Sequence, residues 1–370
     1  MSVMTTPPAL YPVLSEPARK LHELLTLTVE RGCSDLHLTV GIPPCIRLHG
    51  ALGPIEGRER LTPADTESLV RSMLTAEQWD QFTQTHELDL AYAVPGVSRF
   101  RVNVYQQRGS VGAAFRSIPR NIRTLSELGL PPTVERLAHL PRGLVLVTGP
   151  TGSGKSTTLA SLMDVANQTR SAHIMTIEDP IEYLHNHQGC MVNQREIGID
   201  TADFRIALKH VLRQDPDIIL VGELRDLETT SVAVTAAETG HLVLATLHTQ
   251  SAAQTIDRLI DMYPAHQQGQ IRAQLANCLQ GVVTQALAPR KDGKGRVPIT
   301  EVLVANPAIR NLIREARAHQ IPSVIQSSSE LGMVTFDQSL ANCYFEQLIS
   351  KQTALDLAHD RAEFKRLARI

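Results

Sequence analysis

Residues 143–167 read GLVLVTGPTGSGKSTTLASLMDVAN, and this stretch decides the fold. An apolar run, Gly143–Thr148, ends in GPTGSGKST at 149–157, and a helix-favouring segment follows. The central nine residues fit G-x-x-x-x-G-K-[ST], a loop whose backbone N–H groups wrap phosphate oxygens. Gly149, Pro150, Thr151, Gly152, Ser153, Gly154, Lys155, Ser156 and Thr157 are therefore the expected nucleotide-binding residues. Gly152 and Gly154 permit backbone conformations and close approach that bulkier residues cannot. Lys155 is expected at the β- and γ-phosphates and the Ser156 hydroxyl on Mg²⁺, so ATP and Mg²⁺ are the expected ligands. Strand, loop and helix in that order are the context the motif requires.

Working outward, further apolar strands are expected at His173–Ile177, Asp217–Val221 and His241–Leu247, alternating with helical stretches. That alternation predicts an α/β unit with a parallel sheet wrapped by helices. From Ser251 onward helices are expected to dominate, broken by one strand at Val297–Val304. Upstream the pattern is different. Leu21, Leu24, Leu25 and Val29 mark one face of a helix ending at Gly32, and Leu36, Leu38 and Val40 alternate like a half-buried strand. Thr62-Pro63 opens a second helix, and Thr75 with Gln78 forms a capping box for a third. Leu88–Val94, the Pro95-Gly96 turn and Phe100, Val102 and Val104 predict an antiparallel hairpin, followed by a strand at Val111–Phe115. The expected organisation is a weakly ordered lead-in over 1–16, an α+β domain over 17–118, a linker over 119–130 and the α/β domain over 131–370.

Composition narrows the function. The 370 residues carry 36 Lys+Arg against 38 Asp+Glu, a net charge of −2, so there is no global basic field for nucleic acid or acidic lipid. One Trp, six Tyr and seven Phe leave little for a base-stacking platform. A nucleic-acid translocase is thereby disfavoured. No apolar run nears the ~18 residues of a membrane span, and the N-terminus lacks the layout of a signal peptide. A cytoplasmic protein, peripheral to any membrane, is expected. Cys33, Cys45, Cys190, Cys278 and Cys343 never fall in CxxC spacing and are read as reduced, idle thiols.

Hydrolysis needs more than a phosphate cradle. A carboxylate must orient water and a charge must meet the transferring phosphoryl. Asp217–Asp226 (DIILVGELRD) ends a buried-type strand at Glu223, where a water-orienting carboxylate would face the loop. Glu178 in TIEDPIEY ends another strand and is the second candidate, for water or for the Mg²⁺ shell. The presence of both argues against a regulator that binds nucleotide without hydrolysing it. His241 and His248 bracket the strand in TGHLVLATLHT and are candidates for hydrogen bonds to nucleotide or Glu223. His185 and His187 lack a third ligand nearby and are not assigned a metal.

The ordered set GPTGSGKST, TIEDPIEY, RQDPDIILVGELRD and AAETGHLVLATLHT resembles the Walker A, Asp box, Walker B and His box of the secretion ATPase superfamily. Within it the chain resembles the retraction ATPases of type IV pili, on SDLHLTVGIPPCIRLHGAL (34–52), ANPAIRNLIRE (305–315) and GMVTFDQSL (332–340). This resemblance implies a PAS-like N-terminal domain and a RecA-like ATPase domain. It also implies a homohexameric ring with ATP between subunits, and a platform protein at the inner-membrane base of the pilus as partner. It further implies arginines reaching the triphosphate, and the matching positions are Arg101 in RFRVNVY and Arg116 in AAFRS. Arg213 and Arg225 match positions for coupling or interface pairing.

Three departures stand beside the resemblance. Leu224 replaces the usual Met, a swap that conserves volume. Gly222 occupies the place where many P-loop ATPases carry a Mg²⁺-binding Asp, which leaves the metal to Ser156 and water. The four-cysteine module of many assembly and secretion relatives is absent. The helix expected over 307–314 has an apolar stripe of Ile309, Leu312 and Ile313 opposite Arg310, Asn311 and Arg314, the pattern of an ordinary packed amphipathic helix, and only the resemblance implies that its polar face transmits the stroke.

Overall fold

A computed structural model describes residues 14–48, 50–119 and 121–370; most of the expected lead-in lies outside them. The chain forms two compact units that divide at residues 120 and 121. The first begins with a helix, Glu16–Glu30, whose N-terminus is capped by Ser15. Its strands are β1 (Asp35–Leu38), β2 (Cys45–Leu48), β3 (Ala51–Pro54), β4 (Glu87–Val94), β5 (Ser98–Gln107) and β6 (Ser110–Ser117). They form one antiparallel sheet in the order β3-β2-β1-β6-β5-β4. Leu21 and Leu25 of the helix pack on Leu36, Phe100, Val102 and Phe115, the inward face of that sheet. The helices Pro63–Arg71 and Ala76–Thr85 both begin with capping boxes, Thr62 with Asp65 and Thr75 with Gln78. The short strands β2 and β3 escaped the sequence reading, because four residues leave too little alternation to register.

The second unit is built on β7 (Gly143–Thr148), β8 (His173–Glu178), β9 (Met191–Glu196), β10 (Ile218–Val221), β11 (Leu242–Leu247), β12 (Leu279–Pro289) and β13 (Arg296–Val304). Their order is β13-β12-β7-β11-β10-β8-β9, parallel except for β13, which pairs antiparallel with β12. Alternate residues of the same strands feed two cores. Leu144, Leu146, Ile219, Val221 and Val243 meet one layer of helices, while Val145, Val147, Ile218, Leu220 and Leu244 meet Leu159, Leu162 and Met163 of the helix Lys155–Thr169. Burial on both faces explains why these strands read as continuous apolar runs.

Three expectations need correction. The stretch after Ser251 is less helical than read: β12 is an eleven-residue strand inside the sheet, between β13 and β7. β9 was also missed, since Met191–Glu196 is an edge strand with mixed polarity. Residues 121–130 are not a bare tether, for Leu125 and Leu130 are buried in the core of the second unit.

Candidate functional site

In a parallel sheet every strand delivers its C-terminal end to the same edge. β7 ends at Thr148 and enters the glycine loop, β8 ends at Glu178, β10 leads through Gly222 to Glu223, and β11 leads to His248. The strand order puts β11 between β7 and β10, so His248 emerges between the glycine loop and Glu223. Together these ends line a cavity of about 630 Å³ with Thr151, Lys155, Ser156 and Arg225. Its size suits a nucleotide-sized ligand.

The loop is shaped for an anion. Gly149, Gly152 and Gly154 have φ of +139°, +78° and +90°, a region costly for residues with a Cβ. Gly154 caps the helix Lys155–Thr169 with no side-chain hydrogen bond, so the first-turn N–H groups are left for a ligand. Ser153 Oγ is buried with no hydrogen-bond partner, an orphaned group beside the cradle. Both features fit a bound phosphate, and the Ser156 hydroxyl in the cavity wall fits a Mg²⁺ ligand. Lys155 is 9% exposed and its Nζ donates to Gly149 O at 2.8 Å and Pro150 O at 3.1 Å. Burial pulls its pKa down, and Glu223 opposes that shift. The lysine is thus folded onto its own loop.

Glu223 has a basic side chain beside each oxygen. Arg225 Nε donates to Oε2 at 2.8 Å, and His248 Nε2 lies 3.2 Å from Oε1. Arg225 also reaches towards Asp179 at 3.9 Å, and its pKa is raised chiefly by its hydrogen bond to Glu223. Glu178 is recessed. It accepts from Thr176 Oγ1 at 2.6 Å, Gln194 Nε2 at 3.1 Å and the Glu182 N–H at 3.4 Å. Burial outweighs those bonds and raises its pKa. Gly222 has a steric reason here: a Cβ would lie 3.3 Å from Ile177 O and 3.4 Å from the Glu178 Cα. An aspartate in its place would crowd the neighbouring strand.

Other expected residues lie elsewhere. His241 precedes β11 at the opposite end of the sheet, about 20 Å of strand from His248, and its Nδ1 meets Ala236 O at 3.0 Å. It finishes a helix and does not reach Glu223. Arg213 is exposed just ahead of β10, also at that far edge. Arg101 and Arg116 belong to the first unit and stand opposite each other on β5 and β6. Arg116 Nε donates to Asp35 Oδ1 at 2.8 Å. His187 Nδ1 accepts from the Val192 N–H at 3.0 Å, and His185 Nδ1 is buried without a partner. All five cysteines are buried and unpaired. In the helix Pro307–Arg314, Arg310 is not on a free polar face: it donates to Ala276 O at 2.6 Å and Asn277 O at 2.9 Å, closing the end of the helix Ala265–Cys278.

Two residues that sequence reasoning passed over support the site. Gln194 on β9 holds Glu178, and Gln285 on β12 holds the glycine loop. Little in the sequence singled them out: Gln194 sits among the polar residues of β9, and Gln285 is one of two glutamines in β12.

A model of the type II/IV secretion system protein family matches residues 99–339. The chain is 48% identical over 341 residues to the type IV pilus retraction ATPase PilT of Pseudomonas aeruginosa, covering 91% of this chain and 97% of that one. It is 44% identical over 344 residues to the type IV pilus ATPase PilU of the same organism, covering 92% and 90%. The crystal structure of the pilus retraction motor PilT with bound ADP matches with a TM-score of 0.86 at 48% identity, over 93% of this chain and 98% of that one. The sheet-containing N-terminal unit and the RecA-like unit after it are the architecture expected from the sequence. Among the described residues, no helix is long and apolar enough to cross a membrane.

Proposed function

Since this chain belongs to the type II/IV secretion system protein family, we propose that it is a Mg²⁺-dependent ATPase whose hydrolysis drives retraction of a type IV pilus. The observation that carries this reading is the glycine loop facing the Glu223 carboxylate across one cavity, in a chain alike to PilT over nearly its full length. Gly149–Thr157 wrap the phosphates, and Lys155 leaves its loop carbonyls to meet the β- and γ-phosphates. Mg²⁺, held by Ser156, neutralises phosphate charge when bound. Glu223 orients the attacking water, and Glu178 supports the water or the metal. His248 and Arg225 keep the Glu223 carboxylate in place. Arg101 and Arg116 supply positive charge to a triphosphate within a homohexameric ring, whose partner is the platform protein at the inner-membrane base of the pilus. A guanidinium suits charge spread over a transferring phosphoryl group.

The test is deletion of the gene with counts of surface pili and twitching. Excess pili that do not retract support the reading, and loss of pili points to assembly instead. A second reading, an accessory retraction ATPase, is favoured by the 44% identity to PilU. Expression of this chain alone in a strain lacking every retraction ATPase separates the two: restored twitching supports the principal motor, and rescue only alongside a second ATPase supports the accessory role.

A further inference from the structure

Gln285 lies on β12, one residue beyond the point where Thr284 pairs with Thr148 at the end of β7. The residue is 3% exposed and both ends of its carboxamide are hydrogen-bonded. Nε2 donates to Ser153 O at 2.6 Å, and Oε1 accepts from Thr158 Oγ1 at 2.8 Å. The amide orientation is forced, because a backbone carbonyl can only accept and the group facing it must be the NH₂. Around this carboxamide the loop has no room to spare. A Cβ on Gly154 would lie 2.7 Å from Gln285 Nε2, and a Cβ on Gly149 would collide with the Gln285 carbonyl oxygen.

The consequence follows from peptide geometry. In a planar trans peptide the C=O and the following N–H point in opposite directions. Holding the Ser153 carbonyl towards β12 therefore turns the Gly154 N–H the other way, into the cradle. The bond from Thr158 ties the same carboxamide to the first turn of the helix that begins at Lys155. Loop and helix N-terminus are thus set against one another by a side chain from a distant strand. Resting on the nucleotide-binding reading above, we infer that Gln285 is a positioning residue that pre-orients the phosphate-binding loop. It touches no phosphate itself. Its effect is to spare the loop an ordering step on binding, so it acts on affinity for the phosphate chain.

The test compares the full-length chain with Gln285→Met, which keeps the length of the side chain and removes both hydrogen bonds, and, at a pH where the carboxylate is ionised, with Gln285→Glu, which then keeps only the acceptor for Thr158. Titration with a fluorescent ADP analogue and Mg²⁺ should show Kd raised about tenfold in both variants, the scale of one lost buried hydrogen bond with its partner left unpaired. KM for ATP should rise in step while kcat changes less than about threefold. Inhibition by AMP, which has no β-phosphate, should be unchanged. Thr158→Val should raise Kd about threefold and Thr158→Ser should restore it, and this pair decides the matter if either Gln285 variant fails to fold. Wild-type Kd in Gln285→Met or in Thr158→Val overturns the role of Gln285. Equal losses for ADP and AMP also overturn it, since a general packing defect would lower both. Wild-type protein that binds no ADP overturns the nucleotide reading, and this inference with it.

Discussion

His248 Nε2 lies 3.2 Å from Glu223 Oε1, so the residue after the central strand β11 stands beside the acid at the end of its neighbour β10. Arg225 takes the other carboxylate oxygen at 2.8 Å. The Arg225 hydrogen bond restrains the direction of the acid, and His248 flanks its other oxygen. A fixed acceptor is what the alignment of an attacking water requires.

Glu223→Gln keeps the shape and removes the charge. ATP should still bind, and phosphate release should fall by at least ~100-fold. Glu178→Gln should fall less and shift the Mg²⁺ requirement. Steady-state phosphate release across a Mg²⁺ titration checks both, and the reverse ordering would make Glu178 the water-orienting residue.

Lys155→Ala should abolish hydrolysis, because it removes the positive charge of the phosphate cradle. It should also cost about 1 kcal/mol of stability, since Gly149 O and Pro150 O lose their donor. Urea denaturation without nucleotide measures the second effect, and phosphate release measures the first.

Arg101→Ala and Lys155→Ala subunits, each inactive alone, should regain activity when mixed if the arginine serves a neighbour's nucleotide. Specific activity should then rise with protein concentration as rings form. Full activity from monomers at nanomolar concentration, with no rescue on mixing, would sink the shared site.

Burial lowers the His185 pKa to about 4. A histidine depressed in the folded state favours folding above its unfolded pKa near 6.5, and that contribution is lost as pH falls towards 4. Solvent reaches part of the residue, so the loss should be roughly 2 kcal/mol, below the full ~3 kcal/mol of such a shift. Urea midpoints at pH 7 and pH 5 should converge in His185→Leu relative to wild type.

Burial pushes the Cys278 thiol up to about 12 and the Cys343 thiol up to about 11. Neither offers thiolate near neutral pH. Native protein should react with less than one equivalent of a disulfide reagent at pH 8, and with five after unfolding in guanidinium. Rapid native labelling would place a thiol at the surface.

The glycine loop, Glu178 and Glu223 were legible because each follows a strand buried on both faces, and such strands announce themselves as apolar runs. Periodicity failed for β9 and β12. β9 is an edge with mixed polarity, and β12 carries Thr284 and Gln285 inside an apolar run that follows a helix without a break. With β12 unseen, the support that Gln285 lends the loop could not be inferred. His241 was misplaced for a different reason. Two histidines bracketing one strand look equivalent in the sequence, yet a strand of six residues puts them at opposite ends of the sheet.

Local chemistry, then, was determined by the sequence alone: a glycine loop between strand and helix, two strand-end carboxylates, helix starts at Thr62-Pro63 and at the Thr75 capping box, and an α/β unit after an α+β one. These depend on residues close in the chain, where spacing and side-chain type dictate the backbone. Only the tertiary structure decided which partners those groups have. Gln285 meets Ser153 across 132 residues, Arg310 closes a helix that ended 32 residues earlier, and His248 rather than His241 reaches Glu223. Such pairings follow from strand order and direction, which arise from how the whole chain buries its apolar surface and leave no periodic mark on the sequence.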